Sequence, residues 1–283
     1  MDSRREGAGL LYLASSRQDR IDTLLVKKVT SIAWEEVQLP DGSRPVLSAL
    51  SQIGGFMTAQ IAASLLQNND GGKGILLSGL PGVPPAEVVI LGAGTAGLNA
   101  TRAFIGLGAH VTVLDRSIEA LQRICEQFSC IGTMVATQRN IERCCAYADV
   151  VIGAVHAPGE RAPVIVTRSV VAKMKPRSVI IDLSIDQGGC FETSRLTMHD
   201  RPTYIEEGVI HYCVPNIPGV VARTSAHAFM NSALPFISEI ANLGVEEAIL
   251  KNPAIAAAVN TRNGEIFKLS RFNMREEDRH GAE

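Results

Sequence analysis

The chain is poor in aromatic residues. Of 283 residues, 5% are Phe, Trp or Tyr, and there is one Trp. Scarce aromatics beside 46% hydrophobic residues fit an α/β protein with Val-, Ile- and Ala-rich strands and helices. An excess of charge of one sign is also missing. The 27 Lys and Arg oppose 29 Asp and Glu, a formal net charge of −2, which removes the electrostatic case for a nucleic-acid partner. No uninterrupted apolar run approaches the ~20 residues of a membrane span, so no membrane contact is expected. The six cysteines include no CxxC pair, which leaves no metal-like spacing; they read as reduced thiols. Cys144 and Cys145 are adjacent, on a segment expected to be helical with one of the two buried. The segment after Met1 does not read as a signal peptide, so a cytoplasmic location is expected. There is no internal repeat, and the length allows one large or two modest domains.

What is present centres on residues 87–98. Val88 to Leu91 is a short apolar run of buried-strand type. Gly92, Gly94 and Gly97 follow at G-x-G-x-x-G spacing, and a helical pattern begins at once with Thr95 and Ala96. Each glycine has its own mechanical reason. Gly92 allows the tight turn, Gly94 lets backbone approach a pyrophosphate, and Gly97 lets helix pack close to strand. The helix start then aims its N–H groups and positive dipole end at phosphates. A second apolar run ends in Asp115, about 20 residues beyond the glycines, where an acceptor for the ribose hydroxyls belongs. Its charge favours NAD over NADP, although the neighbouring Arg116 tolerates a phosphate; an alternative for Asp115 is a helix N-cap. The alternative for the whole turn is a tight strand–helix connection that holds no ligand.

In chain order, residues 8–13 read as a strand, Arg17 to Val29 as an amphipathic helix and Ser31 to Leu39 as a strand. Such a unit is too small to bury its own core. Residues 46–67 read as a helix in which Gly54 and Gly55 permit close approach of another backbone. Strands are then expected near 88–91, 111–114, 131–136, 149–154, 178–183 and 209–214. Helices are expected near 97–107, 117–127, 140–147 and 167–174. This alternation predicts an α/β Rossmann fold, a doubly wound parallel sheet of order 3-2-1-4-5-6, with the reactive end of a ligand outside the carboxyl ends of its strands. Thr224 to Leu243 and Val245 to Leu250 read as helices, residues 254–272 as mixed, and Arg275 to Glu283 as a charged tail. The domains expected are residues 1–45 as part of a reduced second lobe, 46–223 as the NAD-binding domain, and 224–283 as helices completing the second lobe.

Several stretches carry a resemblance. They are Ala33-Trp-Glu-Glu-Val-Gln-Leu-Pro-Asp-Gly, Gly72-Lys-Gly-Ile-Leu-Leu-Ser-Gly-Leu-Pro-Gly-Val-Pro-Pro-Ala, Ser178-Val-Ile-Ile-Asp-Leu-Ser-Ile-Asp-Gln-Gly-Gly-Cys-Phe-Glu and His211-Tyr-Cys-Val-Pro-Asn-Ile-Pro-Gly. With Arg223-Thr-Ser they resemble the alanine dehydrogenase / pyridine nucleotide transhydrogenase family, from about residue 10 to about 265, and its alanine dehydrogenase branch in particular. The resemblance implies a Rossmann lobe, a substrate lobe built from both ends of the chain, and hydride transfer between a nicotinamide and a 2-amino/2-oxo acid pair. It also implies a homo-oligomer. Two departures stand out. Roughly ninety residues that precede the match in a typical member, with the arginine and lysine that bind the substrate, have no counterpart here, so a substrate other than alanine is expected. The family's catalytic histidine sits in a Leu-His-Leu-Ala segment, and here Leu11-Tyr12-Leu13-Ala14 takes its place. A phenol with pKa about 10 does not accept protons near neutrality as imidazole does, but it donates hydrogen bonds.

The resemblance assigns the catalytic aspartate to Asp186, and its position supports this independently: a Gly-rich loop after the fifth strand. The alternative is a carboxylate that satisfies loop N–H groups. Ser51, read as lying at the start of its helix, matches a pyrophosphate-contacting serine, or is an ordinary helix residue. Asn216 matches an asparagine near the nicotinamide ribose, or is a turn residue before Pro218. Val155 and its flanks are expected to line the cofactor pocket. His156, on the loop after the fourth strand, is a second candidate for acid–base chemistry beside Tyr12, or is simply solvated; His211, inside the sixth strand, is expected to be structural. The leading function is an NAD-dependent oxidoreductase acting on a small-molecule amino acid, imine or 2-oxo acid. Its alternatives are an NAD-using cyclodeaminase or lyase with internal redox, and a non-catalytic NAD-binding partner subunit.

Overall fold

The computed structural model describes residues 5–13, 18–157 and 160–269; the charged stretch Arg275 to Glu283 lies outside them. The chain divides into two compact units. One comprises Met1–Leu50, Ala157–Arg161 and Ala222–Glu283, the other Ser51–His156 and Ala162–Val221.

The first unit opens with strand β1 (Arg5–Gly9), helix α1 (Gln18–Val26) and strand β2 (Val29–Ala33), and β1 runs parallel to β2. Both strands are shorter than their apolar patterns suggest. β1 covers only the beginning of the stretch expected at 8–13, because the N–H groups of Leu11 and Tyr12 leave the ladder for the carboxylate of Glu35. β2 stops at Ala33, where a 3-10 turn over Trp34–Glu36 carries Glu35 inward.

Helix α2 (Pro45–Leu65) follows, and its residues from Ser51 onward belong to the second unit. At 21 residues it is long and apolar enough, by length and composition, to cross a membrane, although Ser48, Ser51, Gln52, Thr58 and Gln60 interrupt its apolar residues. Here it is a core element. Met57, Ala59, Ala62 and Leu65 are buried, and a Cβ on Gly55 would lie 2.3 Å from the Ala96 carbonyl oxygen. Only glycine lets the two helix backbones come this close.

The second unit continues with β3 (Glu87–Leu91), α3 (Thr95–Gly106), β4 (His110–Asp115), α4 (Ile118–Gln127), β5 (Gly132–Val135), α5 (Gln138–Tyr147), β6 (Val150–Gly153), α6 (Arg168–Val171), β7 (Val179–Asp182), β8 (Thr203–Glu206) and β9 (Val209–Tyr212). The sheet order is β5-β4-β3-β6-β7-β9-β8, and every pairing but the last is parallel. The six expected strands thus take the order 3-2-1-4-5-6. β8 is an addition, an antiparallel edge strand joined to β9 by a two-residue turn. Glu207 (φ 51°) and Gly208 (φ 73°) both adopt left-handed backbone, as a hairpin turn matching strand twist requires. With Glu rather than Asn or Asp first, that turn carries a faint sequence signal. Helix α6 is a single turn where a longer helix was expected.

Both sheet faces are covered, which is why the strands are near-continuous runs of Val, Ile and Leu. Val88, Ile90, Ile152 and Ile181 pack with Met57, Ala100 and Phe104. Val89, Leu91, Val151 and Ile180 pack with Ile141, Val170 and the two adjacent cysteines. Cys144 and Cys145 are both fully buried, not one of the pair, because α5 ends against the sheet; burial pushes the Cys145 thiol up to about 12.

The chain then returns to the first unit as α7 (Ala222–Leu243), α8 (Val245–Lys251), α9 (Pro253–Ala257), β10 (Val259–Arg262) and β11 (Glu265–Ile266). β10 pairs antiparallel with β2, so strands from opposite ends of the sequence form the sheet β1-β2-β10-β11. Ile32, Trp34, Val37 and Val46 share a core with Phe236, Val245, Ile249 and Ile255.

Candidate active site

The glycine turn leaves the middle of the parallel sheet. Gly92 has φ 111°, and a Cβ there would lie 2.4 Å from the Ala154 carbonyl oxygen. A Cβ on Gly97 would lie 1.8 Å from the Gly92 carbonyl oxygen. Both positions therefore exclude any side chain. Gly94 differs: a Cβ there meets no protein atom within 4 Å. The space beside it is open, and the turn ends in Thr95 and Ala96, which open α3. The first N–H groups of a helix have no intrahelical acceptor. An open glycine face beside such a helix start fits the pyrophosphate of a dinucleotide.

Asp115 closes this turn from β4. Its carboxylate accepts the Ala93 N–H at 2.7 Å and the Ser117 N–H at 2.8 Å. The N-cap of α4 is Ser117, whose Oγ accepts the Ala120 N–H, so Asp115 is not the cap. Each Asp115 oxygen retains acceptor capacity beyond one N–H. Ser51 is the seventh residue of α2 rather than a helix-start residue, because the helix begins at Pro45.

At the carboxyl ends of β6, β7 and β9 three loops are tied together. Ser184 donates its hydroxyl to the Val155 carbonyl at 2.7 Å and accepts the Val155 N–H at 3.0 Å. Gln187 meets Nδ1 of the exposed His156 at 2.7 Å. Asp186 lies between Ser184 and Gln187 in a 3-10 turn, and both its oxygens accept the Asn216 N–H, at 3.3 and 3.4 Å. Asn216 holds φ 51°, a left-handed turn conformation that Asn tolerates. Burial pushes the Asp186 carboxyl up to about 6; the Asn216 N–H opposes this and the negative charge of Asp182 adds to it. Asp186, Asn216, Val155 and His156 are thus brought together. The loop bearing Val155 also meets the glycine turn, since Ala154 is the neighbour that excludes a Cβ at Gly92.

Tyr12 belongs to the first unit. It has φ 44°, and its N–H donates to Glu35 at 2.5 Å while the Leu11 N–H reaches both Glu35 oxygens at 3.1 Å. Burial raises the Glu35 carboxyl despite these donors. His211 is structural: it is fully buried, stacks on Tyr204 with centroids 4.9 Å apart, and bonds Thr193 and the Val209 carbonyl.

Sequence reasoning did not single out Glu35, Asp182, Ser184 or Gln187. For Glu35 and Asp182 one signal existed: a carboxylate at the end of an uninterrupted apolar run has no solvent to face and must meet donors. Among the described residues no group of His, Cys, Asp and Glu is arranged to hold a metal.

A doubly wound sheet with this turn, Asp115 below it and a carboxylate across the strand ends defines a Rossmann-type dinucleotide-dependent oxidoreductase. Residues 58–268 match the model of the family described as alanine dehydrogenase/PNT, C-terminal domain. An alanine dehydrogenase of Mycolicibacterium smegmatis is 46% identical over 258 residues, 91% of this chain and 69% of the relative. One of Methanococcus maripaludis is 47% identical over 258 residues, covering 90% and 69%. A solved structure of an L-alanine dehydrogenase superposes with a TM-score of 0.83 at 39% identity, covering 93% of this chain and 73% of that one. The chain belongs to the alanine dehydrogenase/PNT family. It is an alanine dehydrogenase-like member of a family of NAD-dependent oxidoreductases, and its cofactor is NAD.

Proposed function

We propose that the protein catalyses reversible hydride transfer between NAD and a small 2-amino acid, giving the 2-oxo acid and ammonia, with Asp186 as the polar group at the reacting carbon. The observation that carries this reading is the half-buried Asp186 carboxyl at the end of a central strand, held by the Asn216 N–H and raised to about 6. Gly92, Gly94, Thr95, Ala96, Gly97 and Asp115 would hold the dinucleotide, with Ser51, Val155 and Asn216 as further contacts. Bound NAD supplies the hydride acceptor. A carboxylate at the reacting centre stabilises the positive charge that develops at the substrate carbon and nitrogen. With a pKa near 6 it also exchanges a proton near neutrality, as the addition of water and loss of ammonia require. Tyr12 and His156 assist in this reading, Tyr12 as a hydrogen-bond donor and His156 as a proton carrier. The unit that contains Tyr12 is the substrate lobe.

The relatives above are named for alanine, so L-alanine is the first substrate to test. The expectation of a different substrate finds no support in them. NADH formation from L-alanine and NAD, and its consumption with pyruvate and ammonia, should both be observed. NADH binding without turnover on any small amino acid would overturn the catalytic reading in favour of an NAD-binding partner subunit.

Two further expectations join this proposal. Leu76, Leu80 and Val83 are each more than half exposed on one loop, which supports self-association and is checked by sedimentation. All six cysteines carry free thiols, which supports a reducing compartment, the cytoplasm.

A further inference from the structure

The last residue of β7, Asp182, is fully buried, and nothing in the proposed chemistry uses it. Its carboxylate gathers donors from both ends of the loop that carries Asp186. Oδ1 accepts the Ser184 N–H at 2.9 Å and faces the Cys190 thiol at 3.6 Å. Oδ2 accepts the Cys190 N–H at 2.9 Å and the Ser194 hydroxyl at 2.6 Å. One side chain thus closes a ring over residues 184–190, with Asp186 inside it. The surrounding glycines are shaped to its bulk. A Cβ on Gly189 would lie 2.8 Å from Oδ2, and one on Gly153 would lie 3.1 Å from Oδ1 and 2.5 Å from the Cys190 sulfur. Ser184 carries the ring's geometry onward to Val155, on the loop that also bears His156.

We propose that Asp182 is a positioning residue, whose buried carboxylate sets the place and proton affinity of Asp186 by closing the 184–190 loop, with Ser184 coupling that loop to the one after β6. Two backbone N–H groups can only donate, so the site is built for a carboxylate that accepts. An asparagine would turn an NH2 group toward one of these donors, leaving it unsatisfied. Asp182 also acts through space: burial raises its own carboxyl against the Ser194, Cys190 and Ser184 donors, and in its ionised form its like charge makes Asp186 harder to ionise. Among the described residues, Cys190 on the loop, Cys213 after β9 and, through Gln187, His156 are titratable groups that face this pair. Both thiols are pushed up by burial, so neither ionises near neutrality.

The inference rests on the reading of Asp186 as the catalytic carboxylate, and the test separates the two. Asp182→Asn, Ser184→Ala and Asp186→Asn are compared with the intact enzyme in kcat across pH, KM for the amino acid, and Kd for NADH by fluorescence. Asp182→Asn is expected to lower kcat about tenfold to a hundredfold and to move the acid limb of the kcat profile to lower pH, with NADH affinity within about twofold of the parent. Ser184→Ala, which keeps the Asp182 charge, is expected to lower kcat severalfold with the acid limb unmoved. If Asp182→Asn does not fold, Ser184→Ala alone decides: undiminished kcat overturns the proposal. Wild-type kcat and an unmoved limb in a folded Asp182→Asn also overturn it. If Asp186→Asn retains wild-type kcat, the catalytic reading falls and the positioning role with it. If Asp186→Asn is inactive while the other two match wild type, only the positioning role falls.

Discussion

Replacing Asp186 with Asn should remove activity and yet stabilise the folded protein at alkaline pH. The folded carboxyl is pushed from 3.8 to about 6, chiefly by burial and against the Asn216 N–H. The folded state therefore holds this proton more tightly than the unfolded state does. Stability from this group is fully present below about pH 4 and is lost as pH rises through about 6. At ~1.4 kcal/mol per pH unit, the full cost of ionising it in place is about 3 kcal/mol at pH 8. Asparagine carries no charge to desolvate and keeps an oxygen for the Asn216 N–H. Allowing for partial solvent access and an imperfect fit of the amide, the variant should gain about 1–3 kcal/mol at pH 8. Urea unfolding without NAD, at pH 8 and near pH 4.5, measures this directly. The gain should be plain at pH 8 and shrink at the lower pH, while kcat falls about 10²- to 10⁴-fold. A variant that is no more stable than wild type at pH 8, or whose gain is the same at both pH values, would refute the argument that burial holds this proton.

Four other substitutions probe the fold that holds the site. Gly97→Ala drives a Cβ into the Gly92 carbonyl and should cost several kcal/mol, whereas Gly94→Ala meets open space, should melt like wild type and should weaken NADH binding in a fluorescence titration. Asp149 accepts Lys73 at 2.7 Å, Lys175 at 3.1 Å and the Glu87 N–H at 3.0 Å. Burial raises its carboxyl, but these partners together outweigh that and hold it below the usual range. Asp149→Ala should therefore cost about 3 kcal/mol in urea unfolding at neutral pH, a gap that closes as pH falls below about 4. Glu35→Gln leaves one acceptor where the Leu11 and Tyr12 N–H groups now share two. It should cost about 1–2 kcal/mol and raise KM for the amino acid more than it changes Kd for NADH.

Local pattern carried most of the second unit. Its strands are buried on both faces, so they are written as apolar runs separated by helical periods, and parallel strands joined by helices leave few possible orders. The three glycines were legible because their demands are local: a positive φ at Gly92 and a missing Cβ at Gly97 are needed whatever surrounds them. Asp186 was legible because a carboxylate on a Gly-rich loop at a strand end lies where ligands of such sheets bind. The ends of the first unit's strands were not legible. Apolar content continues past Ala33 and through Leu11, and the chain turns there because Glu35, distant in sequence from Leu11 and Tyr12, takes their N–H groups. The edge strand β8 was hidden by a Glu-Gly turn, and the start of α2 at Pro45 displaced Ser51 from the helix end.

The amino-acid sequence alone therefore determined the six parallel strands, the glycine turn and the loop that carries Asp186, since each follows from local pattern and spacing. Tertiary structure decided what those groups can do. Asp115 braces the glycine turn through Ala93, Asp182 closes the loop under Asp186, and Ser184 ties that loop to Val155. These contacts join residues from different strands, and the proton affinity of Asp186 depends on how far they exclude water, a quantity no single stretch of chain contains.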